Sequence, residues 1–392
     1  MVTFNPNDPA LQRDPYETYR QLRDQHPLYH NPDLNFWVLS RHGDVSDAWF
    51  DTETYSSDHG PTIEEWGPNA VRTVGFVAMD PPQHTDMRKL IKHGFAPARI
   101  AQLEPRIRQI TREHLGPVLE AAGPFDFVGF VAKIVVDVIS ELIGVPKHDR
   151  SLLLRLSQQI MSRDDLQGRI TPAVIEASKN LMRYYNTLIE ERRRQPRDDV
   201  ASALLQAEID GKRLSDGDVV ATLMLLGVAG NETTIKLLGT AWRCGWEHPE
   251  QRELVWSGDI KISSWVGETL RYEGPSLYLA RRVTHPVERY GQVVPANARV
   301  LLLPGSGNRD ERVFPNADHF DMTRDTSNTL AFGYGPHYCL GASLAQLEAR
   351  IVLEELRTVV HPDYDVDLDN ASWTVSPTIR GHAQLPTTIK MR

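Results

Sequence analysis

The chain has 392 residues, of which 41% are hydrophobic, so it contains enough apolar material for a large core that needs no disulfide or metal to hold it together. Its 43 Lys and Arg residues stand against 52 Asp and Glu residues, and the net charge of −9 argues against general binding to nucleic acid or to an anionic membrane. Two cysteines, Cys244 and Cys339, are too few for a disulfide framework and indicate a reducing compartment.

Two stretches bear on location in the cell. The N-terminal stretch Met1–Gln25 is polar and rich in Pro and Asp, without the apolar segment that a secretory signal requires. The longest nearly apolar stretch, Val219–Gly230, has twelve residues and is too short to span a bilayer. We therefore expect a cytoplasmic protein with no membrane anchor.

Apolar residues recur at three- and four-residue spacing along most of the chain, which predicts a fold that is mainly α with minor β. The predicted helices are, in chain order, Asp14–Gln25, Gln83–Phe95, Ile100–Ala122, Asp126–Ile143, Arg150–Met161, Pro172–Arg193, Ser215–Glu247, Ile262–Tyr272 and Ala342–His361. The predicted strands are shorter and lie at Phe36–Ser40, Val287–Pro295 and Arg299–Leu303. No repeat or flexible linker divides the chain, so residues 1–392 are predicted to form a single domain.

The predicted helix Ser215–Glu247 would cross the whole molecule. It begins with a capping box, Ser215 followed by Asp218, and it ends before a His-Pro pair. Its middle, Gly227–Thr234, combines small and polar residues that helix propensity disfavours. Such residues inside an otherwise apolar helix indicate a local requirement other than helix stability.

A glycine-punctuated loop, Phe332–Gly341, places Cys339 just before the predicted helix Ala342–His361. Free backbone amides and the positive end of the helix dipole favour a thiolate there, so we expect an acidic thiol suited to binding a metal. A buried, inert cysteine is the structural alternative. Zinc is disfavoured because the sequence has no Cys-x-x-Cys or paired-His spacing, whereas a Cys/His hydrolase stays open.

The ten residues Phe332–Gly341 resemble the haem-binding loop Phe-Gly-x-Gly-x-His-x-Cys-x-Gly of the cytochrome P450 family at every fixed position. The resemblance implies that Cys339 is the proximal thiolate ligand of the haem iron and that His337 contacts a haem propionate. It also implies that Phe332 packs beside the thiolate, while glycines such as Gly341 keep the loop flat.

Three further segments match the same family in its usual order. Glu268 and Arg271 resemble its Glu-x-x-Arg motif, a buried ion pair that braces the haem loop, with Arg324 as the third member. Residues 79–88 resemble the stretch that enters a helix along the haem edge, where His84 and Arg88 share one face and can reach the propionates. Arg281 is the matching strand residue, and Arg282 competes with it.

The third match, Ala229–Thr233, resembles the helix motif that activates oxygen in this family. Ala229 and Thr233 share a helix face, on which small residues leave room for O2 and substrate over the haem, while Glu232 points about 100° away from Thr233. The structural alternative is that Glu232 pairs with Lys236 and that the Thr233 hydroxyl bonds to the Ala229 carbonyl. The other motifs favour Thr233 and Glu232 as catalytic residues.

The resemblance implies a helix-rich fold in which haem lies between the helices 215–247 and 342–361. It places a smaller, sheet-rich lobe mainly in residues 26–60 and 276–310, and a pair of mobile helices, Arg150–Arg193, over the substrate entrance. The implied reaction is a monooxygenation, in which haem b inserts one oxygen atom of O2 into a C–H or C=C bond. Thr233 would hold a water or the activated oxygen, with Glu232 in the route of proton delivery.

Two electrons must come from outside, because the sequence has no dinucleotide-binding fingerprint of a reductase module. We expect NAD(P)H to supply them through an external ferredoxin reductase and a ferredoxin-like protein. The basic stretch Arg88–His93, which includes Lys89 and Lys92, is a candidate docking site for an acidic ferredoxin.

Three alternative functions differ in testable ways. A peroxide-using haem-thiolate enzyme would lack the pair Glu232 and Thr233, a haem gas-binding protein would turn over nothing, and a cysteine hydrolase would be colourless. The predicted pocket is apolar, with walls from 226–233, 276–279 and Trp66–Val77. The favoured substrate is a lipid, sterol, branched-chain lipid or terpenoid, and the alternative is a polyketide or another secondary metabolite.

Overall fold

The computed structural model describes residues 2–91, 95, 97–121, 123–161, 170–209 and 211–392. Helices dominate these ranges. They are α1 (Pro9–Arg13), α2 (Tyr16–Gln25), α3 (His42–Phe50), α4 (Val71–Val74), α5 (Gln83–Ile91), α6 (Pro97–Gln102), α7 (Glu104–Ala121), α8 (Phe127–Ile143), α9 (Arg150–Met161), α10 (Pro172–Arg194), α11 (Val200–Gln206), α12 (Asp216–Glu247), α13 (Pro249–Ser257), α14 (Ile262–Glu273), α15 (Pro304–Gly307) and α16 (Ala342–Val359). Short 3-10 turns occupy Gly75–Ala78, Lys147–Asp149 and Gly335–His337.

The strands are short and form several small sheets. They are β1 (Leu28–Asn31), β2 (Phe36–Leu39), β3 (Tyr55–Ser56), β4 (Phe125–Asp126), β5 (Glu208–Ile209), β6 (Lys212–Arg213), β7 (Leu279–Val283), β8 (Val287–Arg289), β9 (Gln292–Val294), β10 (Arg299–Leu302), β11 (Asp365–Val366), β12 (Ser372–Trp373), β13 (His382–Gln384) and β14 (Pro386–Thr388). The class predicted from the sequence, mainly α with minor β, is confirmed.

The largest sheet joins three strands from residues 28–56 with two strands from residues 279–302, in the order β1-β2-β10-β7-β3. Its centre is a parallel pairing in which Val38 of β2 lies opposite Leu301 of β10. On the other side of β10, Leu301 lies opposite Ala280 of the antiparallel strand β7. All three side chains are fully buried, so the register is fixed by apolar packing against α1 and α2.

Helix α12 is the structural axis of the helical part of the molecule. The Ser215 hydroxyl accepts a hydrogen bond from the Asp218 amide, and the Asp218 carboxylate accepts one from the Ser215 amide. These two bonds complete the predicted capping box. Near the other end, the ring of the fully buried Trp242 stacks between Phe127, at 4.7 Å, and Tyr364, at 3.8 Å. The helix runs unbroken through Gly227–Thr234 because its neighbours bury it on most sides.

Sequence periodicity located most helices to within a few residues, and α9 matches its prediction at both ends. The predicted helix Ile100–Ala122 is divided, because α6 ends at Gln102 and α7 begins at Glu104. The predicted strand Val287–Pro295 is a hairpin of β8 and β9, turned at Tyr290 and Gly291, both with positive φ. None of the helices in the described ranges combines the length and the apolarity that a membrane crossing requires.

A buried ion pair on α14 braces the segment that leads to Cys339. Arg271 donates to both carboxylate oxygens of Glu268, at 2.8 and 2.6 Å, and both side chains are fully buried. The remaining N–H groups of Arg271 reach the backbone carbonyls of Asn308, Ala317 and His319. Arg324 lies 3.5 Å from Glu268, so the three-membered brace expected from the sequence is present.

We predict that Glu268→Gln destabilises the protein by about 3–5 kcal/mol, because it leaves the buried Arg271 guanidinium without a counter-charge. The free energy of unfolding from urea titrations measures this effect. The matched control is Glu17→Gln, since Glu17 forms an ion pair with Arg20 at the same three-residue spacing but on the exposed face of α2. Equal stabilities for the two variants would contradict the prediction.

Candidate active site

The loop that carries Cys339 is held in one shape by its own backbone. Gly333 and Gly335 have φ values of 74° and 68°, which side-chain-bearing residues rarely adopt. A Cβ on Gly335 would lie 3.0 Å from the Trp49 carbonyl oxygen, so that position also has no space for a side chain. The Cys339 amide donates to the Phe332 carbonyl at 2.8 Å, and the loop delivers Cys339 to the N-terminus of α16.

Cys339 is deep in the protein and still accessible. Its side chain is exposed by surface area, yet burial among surrounding protein atoms raises the pKa of the thiol. A side chain that lines an internal cavity has both properties, an accessible surface and a pKa raised by burial. The amides of Gly341 and Ala342 and the charge of Arg88 act in the opposite direction without overcoming burial. The expected acidic thiol is therefore wrong for the protein alone, and a bound metal ion would supply the missing stabilisation of a thiolate.

Helix α12 offers a matching accessible position. Ala229 is exposed and Thr233 is half-buried, although neighbours on the same helix, such as Leu226, Glu232 and Ile235, are buried. The two residues are one turn apart and therefore share a face. An accessible stripe in the middle of a buried helix, together with the accessible Cys339, is what a flat group bound between α12 and the loop requires.

Basic groups converge at the edge of this region. The imidazole rings of His84 and His337 have their centroids 3.9 Å apart and are tilted by 32° to each other, and His337 Nε2 lies 3.2 Å from Ser57 Oγ. Arg88 donates to the Tyr338 carbonyl, and the buried Arg281 donates to the Ala280 carbonyl. The structure thus brings together the four residues predicted to hold the haem propionates.

Burial disfavours the charged form of these basic groups, and a nearby anion would compensate for that effect. Burial, followed by the charge of Arg88, lowers the pKa of His84 to about 4, and burial lowers the pKa of Arg281 to about 10. Burial, then Arg281, lowers the pKa of His337 to about 2. Both ring nitrogens of His84 are buried without a hydrogen-bond partner in the described part of the chain. Two carboxylates inserted here would satisfy these donors, so the residues fit a haem with its propionates.

Arg281 and Arg282, the two candidates for a propionate contact, have different partners in the structure. Arg282 forms two hydrogen bonds with the Asp58 carboxylate, at 2.8 and 2.6 Å, and a third with Asn297. Arg281 points to the other face of β7 and forms no ion pair with a described residue. Geometry therefore favours Arg281 over Arg282 as the cation for a propionate, because successive strand residues face opposite sides of a sheet.

The two contacts expected if Thr233 and Glu232 have purely structural roles are both present on α12. The Thr233 hydroxyl donates to the Ala229 carbonyl at 2.7 Å, and Glu232 Oε2 lies 3.4 Å from Lys236 Nζ. These contacts do not occupy every polar atom, because Glu232 Oε1 is buried without a partner in the described ranges. Thr233 also keeps its oxygen lone pairs as acceptors. The residues are thus anchored for structure and still have atoms available for chemistry.

Three residues predicted to line the pocket, Trp66, Leu277 and Tyr278, belong to one apolar cluster at the large sheet. Trp66 lies under the Arg299 guanidinium, 4.7 Å from ring centroid to cation, and packs against the apolar cluster that includes Leu277 and Tyr278. The same cluster contains Val38 of β2, Ala280 of β7 and Leu301 of β10, so it lies on one face of the large sheet. The turn Gly75–Ala78 does reach α12, since a Cβ on Gly75 would lie 3.7 Å from Ala221.

The basic stretch predicted as a docking site is only partly visible in the described residues. Arg88 is directed inward to the Tyr338 carbonyl, and the exposed Lys89 forms an ion pair with Asp86 at 3.1 Å. Lys92 and His93 lie outside the described residues. Sequence reasoning missed Ser57, whose hydroxyl contacts His337, because nothing in its local sequence connects it to a loop 280 residues away.

Comparisons with known proteins agree with this geometry. A family model described as Cytochrome P450 matches residues 262–357, the segment with the α14 brace and Cys339. Cytochrome P450 123 of Mycobacterium tuberculosis is 43% identical, over 100% of this chain and 98% of the relative. Vitamin D(3) 25-hydroxylase of Pseudonocardia autotrophica is 36% identical, over 97% of this chain and 95% of the relative.

The fold gives the same answer. The solved structure of cytochrome P450 CYP109Q5 from Chondromyces apiculatus aligns with a TM-score of 0.88 and 32% sequence identity, over 100% of this chain and 99% of that one. The 43% identity to a cytochrome P450 extends over the whole of this chain, and the fold is shared as well. The chain therefore belongs to the cytochrome P450 family of oxidoreductases, which carry out monooxygenation with haem iron bound by a cysteine thiolate.

Proposed function

We propose that this monooxygenase hydroxylates a hydrophobic lipid-like molecule and that Cys339 binds the haem iron. The observation that carries the proposal is the accessible Cys339 thiol in the interior, with the accessible Ala229 and Thr233 in the middle of α12. In this assignment Phe332 packs beside the sulfur, and Gly341, the N-cap of α16, keeps the backbone close to the ring. His84, Arg88, Arg281 and His337 bind the propionates.

Haem b bound by a thiolate supplies the redox chemistry, in which O2, two electrons and two protons convert a C–H bond to C–OH and release water. The protein positions the substrate and delivers the protons. Ala229 leaves space on the α12 face, Thr233 Oγ1 would hydrogen-bond a water in that space, and Glu232 would pass protons to that water. NAD(P)H supplies the electrons through a ferredoxin reductase and a ferredoxin-like protein.

The substrate class rests on two observations. The Ala229 face of α12 is small and apolar apart from Thr233, and Phe76 of the turn that packs on α12 is apolar as well. A relative covering nearly the whole chain is a hydroxylase of vitamin D(3), which is a hydrophobic, sterol-derived molecule. Sterols, methyl-branched lipids and terpenoids share that character.

The proposed substrate class is tested by optical titration of the purified holoprotein with fused-ring sterols, methyl-branched long-chain lipids and polyketide lactones. We expect a sterol or a branched lipid to displace the iron-bound water and to shift the Soret band to shorter wavelength at micromolar ligand. A shift with polyketide lactones alone would replace the lipid assignment by a role in secondary metabolism. A colourless protein would overturn the haem assignment.

We predict that Cys339→Ser abolishes the thiolate-haem spectrum and product formation, because a hydroxyl is too weakly acidic to replace a thiolate ligand. The absorption spectrum and the haem content per chain measure the change. Cys244→Ser is the matched control. Cys244 is fully buried, burial raises the pKa of its thiol to about 12, and it lies 3.8 Å from Arg243. A normal haem spectrum in Cys339→Ser would contradict the assignment.

We predict that Thr233→Ala lowers the fraction of electrons that appear in product by about tenfold or more, since proton delivery by positioned groups contributes at least that much. NADPH consumed and product formed are measured in the same assay. Thr222→Ala is the control, because the Thr222 hydroxyl also donates to the carbonyl four residues earlier, at 2.8 Å, but is fully buried. Equal coupling in Thr233→Ala and Thr222→Ala would contradict a catalytic role for Thr233 and leave only its hydrogen bond to the Ala229 carbonyl.

A further inference from the structure

Glu232 and Lys236 form an ion pair that is closed off from solvent. They lie one turn apart on α12, their side chains are 4% and 5% exposed, and Lys236 Nζ is 3.4 Å from Glu232 Oε2. An ionised carboxylate in such a position is strongly disfavoured unless a nearby charge compensates it. Lys236 is the one described residue that forms an ion pair with Glu232.

The C-terminal strand β13 fixes Lys236 from the other side. Lys236 Nζ donates to the His382 carbonyl at 3.0 Å. Gly381 precedes it with a φ of 150°, and a Cβ there would lie only 2.7 to 2.9 Å from the Lys236 Cβ, Cγ and Cδ atoms. Glycine is therefore required at position 381, where the backbone packs against the aliphatic part of the Lys236 side chain. The ammonium group is held by a partner far away in sequence, independently of Glu232.

Two other titratable groups face Lys236, and the charge of Asp126 raises the pKa of Lys236 in the same direction as Glu232 does. The Asp126 carboxylate, at the start of α8, already accepts the amides of Val128, Gly129 and Leu385. Burial lowers the pKa of the His382 imidazole to about 3, so the ring is neutral at physiological pH. Burial also lowers the pKa of Lys236, and Glu232 opposes that effect. Of the two carboxylates, Glu232 has the larger effect on Lys236 and is the one that forms an ion pair with it.

We propose that Lys236 is a positioning residue that keeps Glu232 ionised and holds it through Oε2, so that Oε1 is the oxygen that accepts each proton and passes it toward Thr233. This proposal rests on the proposed proton-delivery role of Glu232. Its structural basis is the orphaned Glu232 Oε1, which has no partner among the described residues, and the fixed position of Lys236 under Gly381. The proton is taken up and released at one oxygen, with no net change in the protein.

The test is infrared spectroscopy of the holoprotein in D2O between pH 5 and 9, with Glu232 assigned by subtracting the matching Glu232→Gln spectrum. In the wild-type protein we expect an ionised Glu232 at pH 7. In Lys236→Met, which keeps the aliphatic stem under Gly381, we expect the stretching band of a protonated Glu232 at pH 7. The midpoint of its titration should rise by about one pH unit or more, which is a tenfold change in proton affinity.

Lys236→Arg is the conservative variant, and we expect it to restore an ionised Glu232. A protonated Glu232 in the wild-type protein at pH 7, or an ionised one in Lys236→Met, would overturn the proposal. If Lys236→Met does not fold, the wild-type spectrum alone still tests whether Glu232 is ionised at pH 7. The infrared result does not depend on turnover, so it stands apart from a failure of the proposed monooxygenation.

The kinetic consequence is measured separately. We expect coupling of electrons to product in Lys236→Met to fall toward that of Glu232→Gln, while substrate affinity from the Soret titration stays unchanged. Recovery of coupling in Lys236→Arg supports the charge as the cause. A coupling loss of the same size in Lys236→Arg would overturn it, since that variant keeps the charge.

Discussion

The position of Cys339 depends on the buried guanidinium of Arg271. Its N–H groups are used by Glu268 and by three backbone carbonyls, including that of Asn308. The Asn308 side-chain oxygen in turn accepts the Leu330 amide at 2.6 Å, at the entrance to the cysteine loop. One buried cation therefore ties α14, the end of α15 and the start of that loop together. A buried ion pair contributes little net stability, but removal of either partner is expensive, which suits a brace whose function is to fix geometry.

A second constraint acts at the other edge of the same region. His84, Arg281 and His337 are held close together although burial disfavours the charged form of each. Both ring nitrogens of His84 are also buried without a hydrogen-bond partner in the described part of the chain. Two propionates would accept hydrogen bonds from these groups and favour their charged forms, which is why the residues fit a haem.

Helix α12 combines structural and chemical requirements along a single stretch. The Thr233–Ala229 and Glu232–Lys236 contacts would explain these residues without any chemistry. Burial separates the two roles, because Thr233 faces the accessible stripe whereas Glu232 faces β13. A hydroxyl beside the reacting group and a carboxylate behind it form a short route that crosses the helix, and the unfavourable propensity of Gly227–Thr234 is consistent with that use.

The amino-acid sequence determined the features that depend on neighbours along the chain. These are the helical class, the bounds of α9, the Ser215 capping box and the loop motif around Cys339, because hydrophobic period and backbone conformation are local properties. Tertiary structure decided what depends on distant partners. It paired β2 with β10, turned Arg282 to Asp58 and left Arg281 without an ion pair among the described residues, packed Trp66 under Arg299, and raised the pKa of the Cys339 thiol, which local sequence predicts to be low. Burial and long-range contacts are properties of the folded chain, and no pattern within a helix or loop specifies them.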